Sequence, residues 1–343
     1  MSHEAPKTPA NAGGNVAIEG VLGLQEKTLL QALLASQAFW VTIALAIICV
    51  FMSWYEPHFG SIENFYNITR NFAFIGIMAL GMTVVIITGG IDLSVGSIMG
   101  VVAVASGLVL EAEYPWWAAV IVGLGAGLAC GLINGYLVAY VNLSPFVVTL
   151  GMLSIARSFA VVLSGNRMIY NFGPGGAMFK IWGGGAFLGI ANPVWFLVIF
   201  TALLAVVLRM TAWGRHILAI GGNEHAANLT GVPVKLVKLQ AYSLSALAAA
   251  FAAILNVGWS GSAINALGQS YELRAIASTV IGGANLMGGE GGAYGALIGS
   301  ALIEVIRNAL LMAGVDSNWQ GTFVGSFIIL AVLLERIRGK RRE

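Results

Sequence analysis

Residues 214–234 read GRHILAIGGNEHAANLTGVPV and form a polar, glycine-containing loop between two apolar runs near 193–210 and 239–260. A helix needs about 20 mostly apolar residues to cross the hydrocarbon core of a membrane, so each flanking run predicts a membrane-spanning helix. The loop has a short helical pattern of its own, and basic residues border it. These are Arg209, Lys235 and Lys238. The sequence therefore predicts a membrane protein with a hydrophilic loop at which a soluble partner docks.

The composition extends this interpretation to the whole chain. Hydrophobic residues make up 58% of the sequence, charged residues make up 9%, and the mean hydropathy is +0.85. These values are typical of a polytopic membrane protein. A net charge of +2 is too small to indicate nucleic-acid binding. Cys49 and Cys130 lie in apolar runs with no Cys or His near either one, so we expect inert thiols rather than a zinc or redox site.

The length rule for spans predicts an all-α membrane protein with about ten transmembrane helices, some of them broken or short. Glycine clusters interrupt the apolar pattern near 89–92 and 285–291, where the boundaries are least regular. The predicted spans lie near 38–55, 71–88, 92–111, 116–140, 145–164, 193–210, 239–260, 272–286, 291–314 and 320–336.

Lys and Arg are distributed unequally over the alternating loops, and basic loops are retained in the cytoplasm. The loops and tails assigned to the cytoplasm carry Lys7, Lys27, Arg209, Arg215, Lys235, Lys238, Arg336, Arg338, Lys340, Arg341 and Arg342. The opposite loops carry Arg70, Arg167, Lys180 and Arg274. The predicted organisation is a cytoplasmic tail over 1–37, a transmembrane domain over 38–336 with a cytoplasmic loop at 210–238, and a basic cytoplasmic tail over 337–343.

Glycines recur at every fourth position in two of the predicted spans. Small-residue faces of this kind let membrane helices pack closely, because lipid provides no hydrophobic drive for their association. The first set is Gly123, Gly127, Gly131 and Gly135, and the second set is Gly291, Gly295 and Gly299. We interpret both sets as packing faces rather than flexible gates.

Residues 89–96, GGIDLSVG, place an acid beside flexible glycines between two apolar runs. Irregular backbone at membrane depth persists only where protein or a water-filled cavity surrounds it. One hypothesis is that Asp92 and Ser94 line the transport path or a gate. The other is that Asp92 caps a helix beginning at Leu93, by accepting hydrogen bonds from the amides of its first turn. The two hypotheses are compatible, and both stay open.

Three more charged residues lie well inside predicted spans, away from their ends. Arg157 is in the middle of one, where a charge costs at least about 2.5 kcal/mol, so we expect it to face the bundle, water or a partner acid. Glu304 and Arg307 are three residues apart on one helix face, and this spacing predicts a structural ion pair. A place on the substrate path or at a gate is the second hypothesis for Glu304 and Arg307, and Arg157 is a candidate for the same role.

The sequence has no match to the phosphate-binding pattern G-x-x-x-x-G-K-[ST] and no H-E-x-x-H or paired Cys/His spacing. We therefore expect no ATP hydrolysis, metal site or enzymatic activity in this chain. The energy for transport would come from another subunit or from an ion gradient. An ion-coupled secondary transporter of a small polar solute is the open alternative.

Four stretches of the chain together resemble the permease subunits of bacterial ABC importers for monosaccharides, the ribose-type family. They are residues 79–97 (ALGMTVVIITGGIDLSVGS), 214–234, 281–292 (IGGANLMGGEGG) and 307–310 (RNAL). Glu290 departs from the pattern, in which a small or basic residue is expected, and this leaves the local geometry there open.

The resemblance implies a multi-pass permease of the inner membrane that assembles with a second copy of itself and contacts membrane lipid. A pair of cytoplasmic ABC ATPases would bind ATP and Mg²⁺ and drive transport, so the permease itself would hold no cofactor. A periplasmic sugar-binding protein would deliver the substrate, a monosaccharide or a related polyol.

In this family a short cytoplasmic coupling helix of each permease docks into a cleft of the ATPase. The residues that resemble it are Asn223, Glu224, His225, Ala226, Ala227 and Gly231. Asn223 is suited to cap the helix, and Glu224 suits the positive end of the helix dipole. Ala226 and Ala227 permit close docking, and Gly231 is suited to end the helix. A plain amphipathic connector is the alternative interpretation of these residues.

Overall fold

The computed structural model describes residues 34, 36–316, 319, 321–323, 325–326 and 329. Most of the predicted span near 320–336 and of the two predicted tails lies outside these residues. The domain boundaries and the cytoplasmic placement of the termini therefore stay predictions.

The described chain is built from helices, as the sequence predicts. The first six are α1 (Gln37–Tyr55), α2 (Ile62–Ile87), α3 (Val95–Glu111), α4 (Trp116–Ala139), α5 (Pro145–Ser164) and α6 (Gly176–Gly184). The next six are α7 (Asn192–Met210), α8 (Ala212–Gly222), α9 (Glu224–Leu229), α10 (Val234–Ser260), α11 (Tyr271–Ile281) and α12 (Ala293–Met312). A short antiparallel hairpin of two strands, β1 (Ala186–Phe187) and β2 (Ile190–Ala191), follows α6.

Seven helices of the described residues are long and apolar enough to cross a membrane, namely α1, α2, α4, α5, α7, α10 and α12. Two further predicted spans correspond to shorter helices: α3 has 17 residues and α11 has 11. These helices confirm the prediction of an all-α membrane protein with some short or broken spans. The predicted count of about ten spans stays a prediction.

The predicted span 145–164 coincides with α5, but the predicted start of α2 near residue 71 is wrong. α2 begins at Ile62, because the Ser61 side chain caps it by accepting a hydrogen bond from the backbone N–H of Asn64 at 3.2 Å. Polar residues in the first turns of α2 lower the local hydropathy and conceal this start. Arg70, which the sequence assigns to a loop, lies inside α2.

α10 begins at Val234, so the predicted start near residue 239 is also wrong. Lys235 and Lys238 belong to its first turns rather than to the preceding loop. α2 and α10 are the most deeply buried of the seven long helices, and α4 packs along α10. The centre of the bundle is therefore formed by α2 and α10.

The first glycine set forms the packing face between α4 and α10, as predicted. A Cβ added to Gly127 would lie 2.5 Å from Ala250 Cβ, and one added to Gly131 would lie 2.7 Å from Ala246 Cβ. A Cβ added to Gly135 would lie 2.9 Å from Leu239 Cα on α10, whereas one added to Gly123 would overlap first with Ser106 Oγ on α3. Larger side chains at these positions would push the two helices apart.

The second glycine set is predicted correctly at two of its three positions. On α12, a Cβ added to Gly295 would overlap with Gly282 O, and one added to Gly299 would overlap with Ser278 O. Gly291 precedes the first residue of α12, so its assignment to the same packing face is wrong. The four-residue glycine spacing extends beyond the N-terminus of α12, so it does not indicate where the helix begins.

Candidate functional site

The short helix predicted over residues 223–231 is present as α9, a six-residue helix on the loop between α8 and α10, and its coupling role stays a prediction. The Asn223 side chain caps it by accepting a hydrogen bond from the backbone N–H of Ala226 at 2.9 Å. Gly231, two residues after the helix, has a φ of +84°, a backbone conformation that glycine adopts without strain. The start and the end of α9 thus follow from the residues that the sequence analysis assigned to them.

The two predicted docking alanines differ in their exposure. Ala226 is exposed, whereas Ala227 is buried and 4% exposed. Leu229, at the end of α9, is 75% exposed. The free face of α9 therefore includes Ala226 and Leu229, while Ala227 seats the helix on the rest of the chain.

Charged side chains connect α9 to the first turns of α10. Lys238 Nζ lies 2.6 Å from Glu224 Oε2 in an ion pair whose carboxylate side is half exposed. A pair this exposed adds little stability. A cavity of about 370 Å³ lies beside it and is lined in part by His225, Asn228 and Lys235. His225 thus belongs to a polar cavity between α9 and α10.

Three separate parts of the chain meet next to α9 in a close backbone contact, which we call the glycine junction. Its members are Ile87, Gly89, Gly221, Gly222, Gly288 and Gly289. The backbone N–H of Gly289 donates a hydrogen bond to Ile87 O at 2.9 Å. A Cβ added to Gly221 would overlap with Ile87 O, whereas one added to Gly222 would meet no atom within 4 Å. The end of α8 is therefore wedged between the end of α2 and the loop before α12.

Residues 88–94, between α2 and α3, hold Asp92 and Ser94 in a buried hydrogen-bond cluster. Asp92 Oδ1 accepts from the backbone N–H of Ser94 at 3.0 Å and from Ser94 Oγ at 2.6 Å. Asp92 Oδ2 accepts from Ser245 Oγ on α10 at 3.1 Å. Asn134 Nδ2 on α4 donates to Ser94 Oγ at 2.9 Å. Because Asp92 is 0% exposed, its carboxylate joins the α2–α3 turn to α10 within the core, and Ser94 extends the cluster to α4.

The prediction that Asp92 caps a helix beginning at Leu93 is wrong in its geometry. α3 begins at Val95, and Asp92 bonds the amide of Ser94, which precedes the helix. Short polar side chains such as Asp commonly bond the backbone two residues ahead, and here this turn leads into the helix. A gating role for Asp92 and Ser94 stays a hypothesis.

Arg157 faces the bundle, as the cost of an intramembrane charge predicts, and its hydrogen-bond partners are carbonyl groups, with the Glu272 carboxylate as a further electrostatic partner. Its Nη1 donates to Asn265 O at 2.8 Å and to Leu267 O at 3.0 Å. Both carbonyls belong to residues 261–270, between α10 and α11, which we call the descending segment. The segment runs along α3, where a Cβ added to Gly100 would lie 2.8 Å from Asn265 O.

Glu304 and Arg307 form the predicted ion pair on α12. Arg307 Nε donates to Glu304 Oε2 at 2.8 Å, and Arg307 Nη2 donates to Glu304 Oε1. The Glu304 side chain is 1% exposed, so the two parallel hydrogen bonds compensate for its burial. Their second predicted role, on the substrate path, stays a hypothesis.

Sequence reasoning missed Ser245, Asn134 and the descending segment. Ser245 and Asn134 are single polar residues in apolar spans, although Asn134 adjoins Gly135 on the packing face, which is a usable signal. Gly96 and Gly100 are four residues apart on α3 and leave the space that the descending segment fills. The described residues contain no cluster of three or more His, Cys, Asp or Glu side chains that could hold a metal ion.

Comparison with known proteins gives one family and several relatives. The family described as branched-chain amino acid transport system / permease component matches residues 64–333. A ribose import permease protein from Bacillus subtilis is 39% identical over 295 residues, covering 86% of this chain and 91% of the relative. One from Escherichia coli is 37% identical over 294 residues, with 85% and 92% covered. An autoinducer 2 import system permease protein from Photorhabdus temperata is 36% identical over 278 residues, with 80% and 84% covered. No solved structure gives a significant match.

Proposed function

The chain belongs to the permease component family of ABC importers, and on that premise we propose that it carries a monosaccharide or a related polyol. It is the transmembrane subunit of such an importer and a multi-pass protein of the bacterial inner membrane. The substrate class is supported by the ribose and autoinducer 2 import permeases among its relatives. Family membership does not favour an ion-coupled secondary transporter.

The partners follow from the same membership. ABC permeases work with separate ATPase subunits and a substrate-binding protein, and we extend this to the present chain. The ATPases would bind ATP and Mg²⁺, and this chain would hold neither. We also propose that two copies of the chain form the membrane unit, with lipid around them. Substrate would then cross near the axis between the copies.

The glycine junction is the observation that carries the coupling proposal. α9 presents Ala226 and Leu229 on its free face, where an ATPase cleft would receive them. Gly221, two residues before the cap Asn223, is in van der Waals contact with the backbone at the end of α2 and before α12. A displacement of α9 by the ATPases would therefore be passed directly to the end of α2 and to the loop before α12.

The buried groups near the junction support a rigid transmission of that displacement. Closely packed protein interiors have few voids and low compressibility, so they transmit a displacement rather than absorb it. Asp92, bonded to Ser94 and Ser245, fixes the α2–α3 interruption to α10. We propose that ATP binding moves α9, that the junction passes this movement to α2 and α12, and that the permease pair alternates between outward and inward openings.

The test compares two substitutions of Gly231 in the complete importer, reconstituted with its ATPase and binding protein. Gly231→Pro removes the N–H that donates to Asn228 O at 3.1 Å and cannot adopt a φ of +84°. Gly231→Asn tolerates that conformation, and its Cβ would meet no atom within 4 Å. We expect ATP-driven ribose import and ATPase attachment to be lost in the first variant and kept in the second. Normal import by Gly231→Pro, or import on an ion gradient without ATPase, would contradict the proposal.

A further inference from the structure

The descending segment, residues 261–270, lies deep in the membrane rather than in a loop at its surface. It is tied to Arg157, which is twelve residues beyond the first residue of the 20-residue helix α5. At 1.5 Å per residue this is about 18 Å along a helix of about 30 Å, the thickness of the hydrocarbon core. The carbonyls of Asn265 and Leu267, which Arg157 binds, therefore lie within the membrane, and the Asn265 side chain reaches back to the last residue of α5, where its Nδ2 donates to Ser164 Oγ at 3.1 Å.

The course of the segment along α3 agrees with this depth. At one end, Ala263 pairs with Ile169, and a Cβ added to Gly107 would lie 2.6 Å from Ala263 Cβ. At the other end, a Cβ added to Gly96 would overlap with Gly268 O. From Gly107 to Gly96 the segment follows α3 over about 16 Å. Half of the membrane is thus crossed by non-helical chain, which forms consecutive turns over 265–270, and α11 completes the crossing.

The structure holds this segment in a defined and strained conformation. Ser270, just before α11, has a φ of +63°, which a residue with a side chain adopts at a cost of about 1–2 kcal/mol. Arg157 provides the two hydrogen bonds that satisfy the Asn265 and Leu267 carbonyls. Strain that the surroundings maintain in this way occurs mostly at functional positions.

One side of the segment is uncovered, and it carries both polar and apolar side chains. Ala266, Gln269 and Ser270 are exposed, and Leu273 on the first turn of α11 is 46% exposed. The described residues provide no hydrogen bond to the side chains of Gln269 or Ser270. Non-helical backbone at membrane depth is tolerated next to protein or a water-filled cavity and does not face lipid. Because lipid would leave the side chains of Gln269 and Ser270 without hydrogen bonds, a water-filled cavity suits this side better than lipid does.

We propose that the descending segment lines the aqueous sugar path, and that Gln269 and Ser270 exchange hydrogen bonds with the hydroxyl groups of the passing substrate. The identity of the substrate rests on the proposed sugar-import function. The position of the segment on the path rests on the structure. An amide and a hydroxyl are uncharged donors and acceptors, so their bonds to a polyol are weak. Weak binding suits a path, because a substrate must leave as readily as it enters. Arg157 is a positioning residue for the segment.

The test measures the reaction of single cysteines with a charged, membrane-impermeant maleimide in the complete importer in membranes. Cys49→Ser and Cys130→Ser first remove the native thiols, and Gln269→Cys or Ser270→Cys is then added. Leu203→Cys on α7 is the control, since Leu203 is 56% exposed among apolar side chains at a similar depth. We expect the two test variants to react at least about tenfold faster than the control, because the reactive thiolate forms in water rather than in hydrocarbon.

Slow reaction at both test positions, equal to that of Leu203→Cys, in an importer that still transports ribose would overturn the path assignment and leave the proposed function standing. Disulfide cross-linking of two Gln269→Cys chains without maleimide reaction would also overturn it, as it places the segment in a dry interface between copies. Fast reaction in an importer that neither transports monosaccharides nor is protected by them would support the path and contradict the substrate class.

A second measurement separates a path role from a structural one. Gln269→Ala is expected to lower the maximal rate of ribose import about three- to tenfold, the effect of one lost hydrogen bond. The concentration of loaded binding protein that gives half the maximal rate should not change, because that protein docks far from residue 269. An unchanged maximal rate would contradict the contact between Gln269 and the substrate.

Discussion

Residues 88–94 and the descending segment 261–270 both place irregular backbone inside the helical bundle, but different groups cover their polar atoms. In the first, Asp92 is 0% exposed and bonded to Ser94 and Ser245. In the second, Arg157 binds two carbonyls on one side, while Gln269 on the other side is exposed. The Asp92 carboxylate of the first interruption has its hydrogen-bond donors within the chain, although Asn134 Oδ1 and Tyr242 Oη beside it have no partner among the described residues. The exposed side chains of the second interruption can be satisfied by water or a ligand. We infer a supporting role for 88–94 and a substrate-contacting role for 261–270.

The largest expected effect on stability is that of Asp92→Ala. Removing the carboxylate leaves the buried donors of Ser94 and Ser245 without an acceptor, which costs about 2–5 kcal/mol. We expect a clear fall in the thermal unfolding temperature of the purified importer. Asp92→Asn is the size-matched control and should lose less, since it keeps one oxygen acceptor. Unchanged folding and unchanged transport in both variants would remove the supporting role from 88–94.

The next largest effect is expected for Arg157→Met. The carbonyls of Asn265 and Leu267 lose their shared donor, at about 1–3 kcal/mol per unsatisfied buried group, and loss of a costly intramembrane charge offsets part of this. Hydrogen exchange measured by mass spectrometry should therefore accelerate in residues 261–270 and stay unchanged in 88–94. Equal acceleration in both segments would show that Arg157 supports the bundle in general and would weaken the comparison.

The smallest effect on stability is expected for Gln269→Ala. Substitutions of exposed side chains usually change the free energy of unfolding by less than about 0.5 kcal/mol. The unfolding temperature should therefore match that of the unchanged chain, although import slows. A fall in unfolding temperature as large as that of Asp92→Ala would show that Gln269 stabilises the fold. Residues 88–94 and 261–270 would then both have a supporting role.

Sequence patterns were sufficient for the features that depend on local chemistry. Apolar length predicts the long helices, and residues such as Asn223 and Gly231 predict the limits of α9 because capping and left-handed backbone are properties of single residues. The spacing of Glu304 and Arg307 likewise predicts their ion pair. Each of these features involves residues that are close in the chain.

The features that the sequence did not predict join distant parts of the chain. Asp92 and Ser245 are 153 positions apart, and Arg157 and Asn265 are 108 apart. The descending segment has the composition of a surface loop, and only the partner Arg157 and the space left by glycines on α3 place it at membrane depth. A hydropathy profile averages over residues that are neighbours in sequence, so it does not detect contacts between distant residues.

The central claim, that α9 drives the bundle through the glycine junction, is tested most directly with two neighbouring glycines. The number of ATP molecules hydrolysed per ribose imported is measured in proteoliposomes for Gly221→Ala and Gly222→Ala, after co-purification of the ATPase has established assembly. A Cβ at 221 overlaps with Ile87 O, whereas one at 222 meets no atom within 4 Å. We expect Gly221→Ala to hydrolyse ATP with little import and Gly222→Ala to match the unchanged chain. Normal import per ATP in Gly221→Ala would contradict the claim.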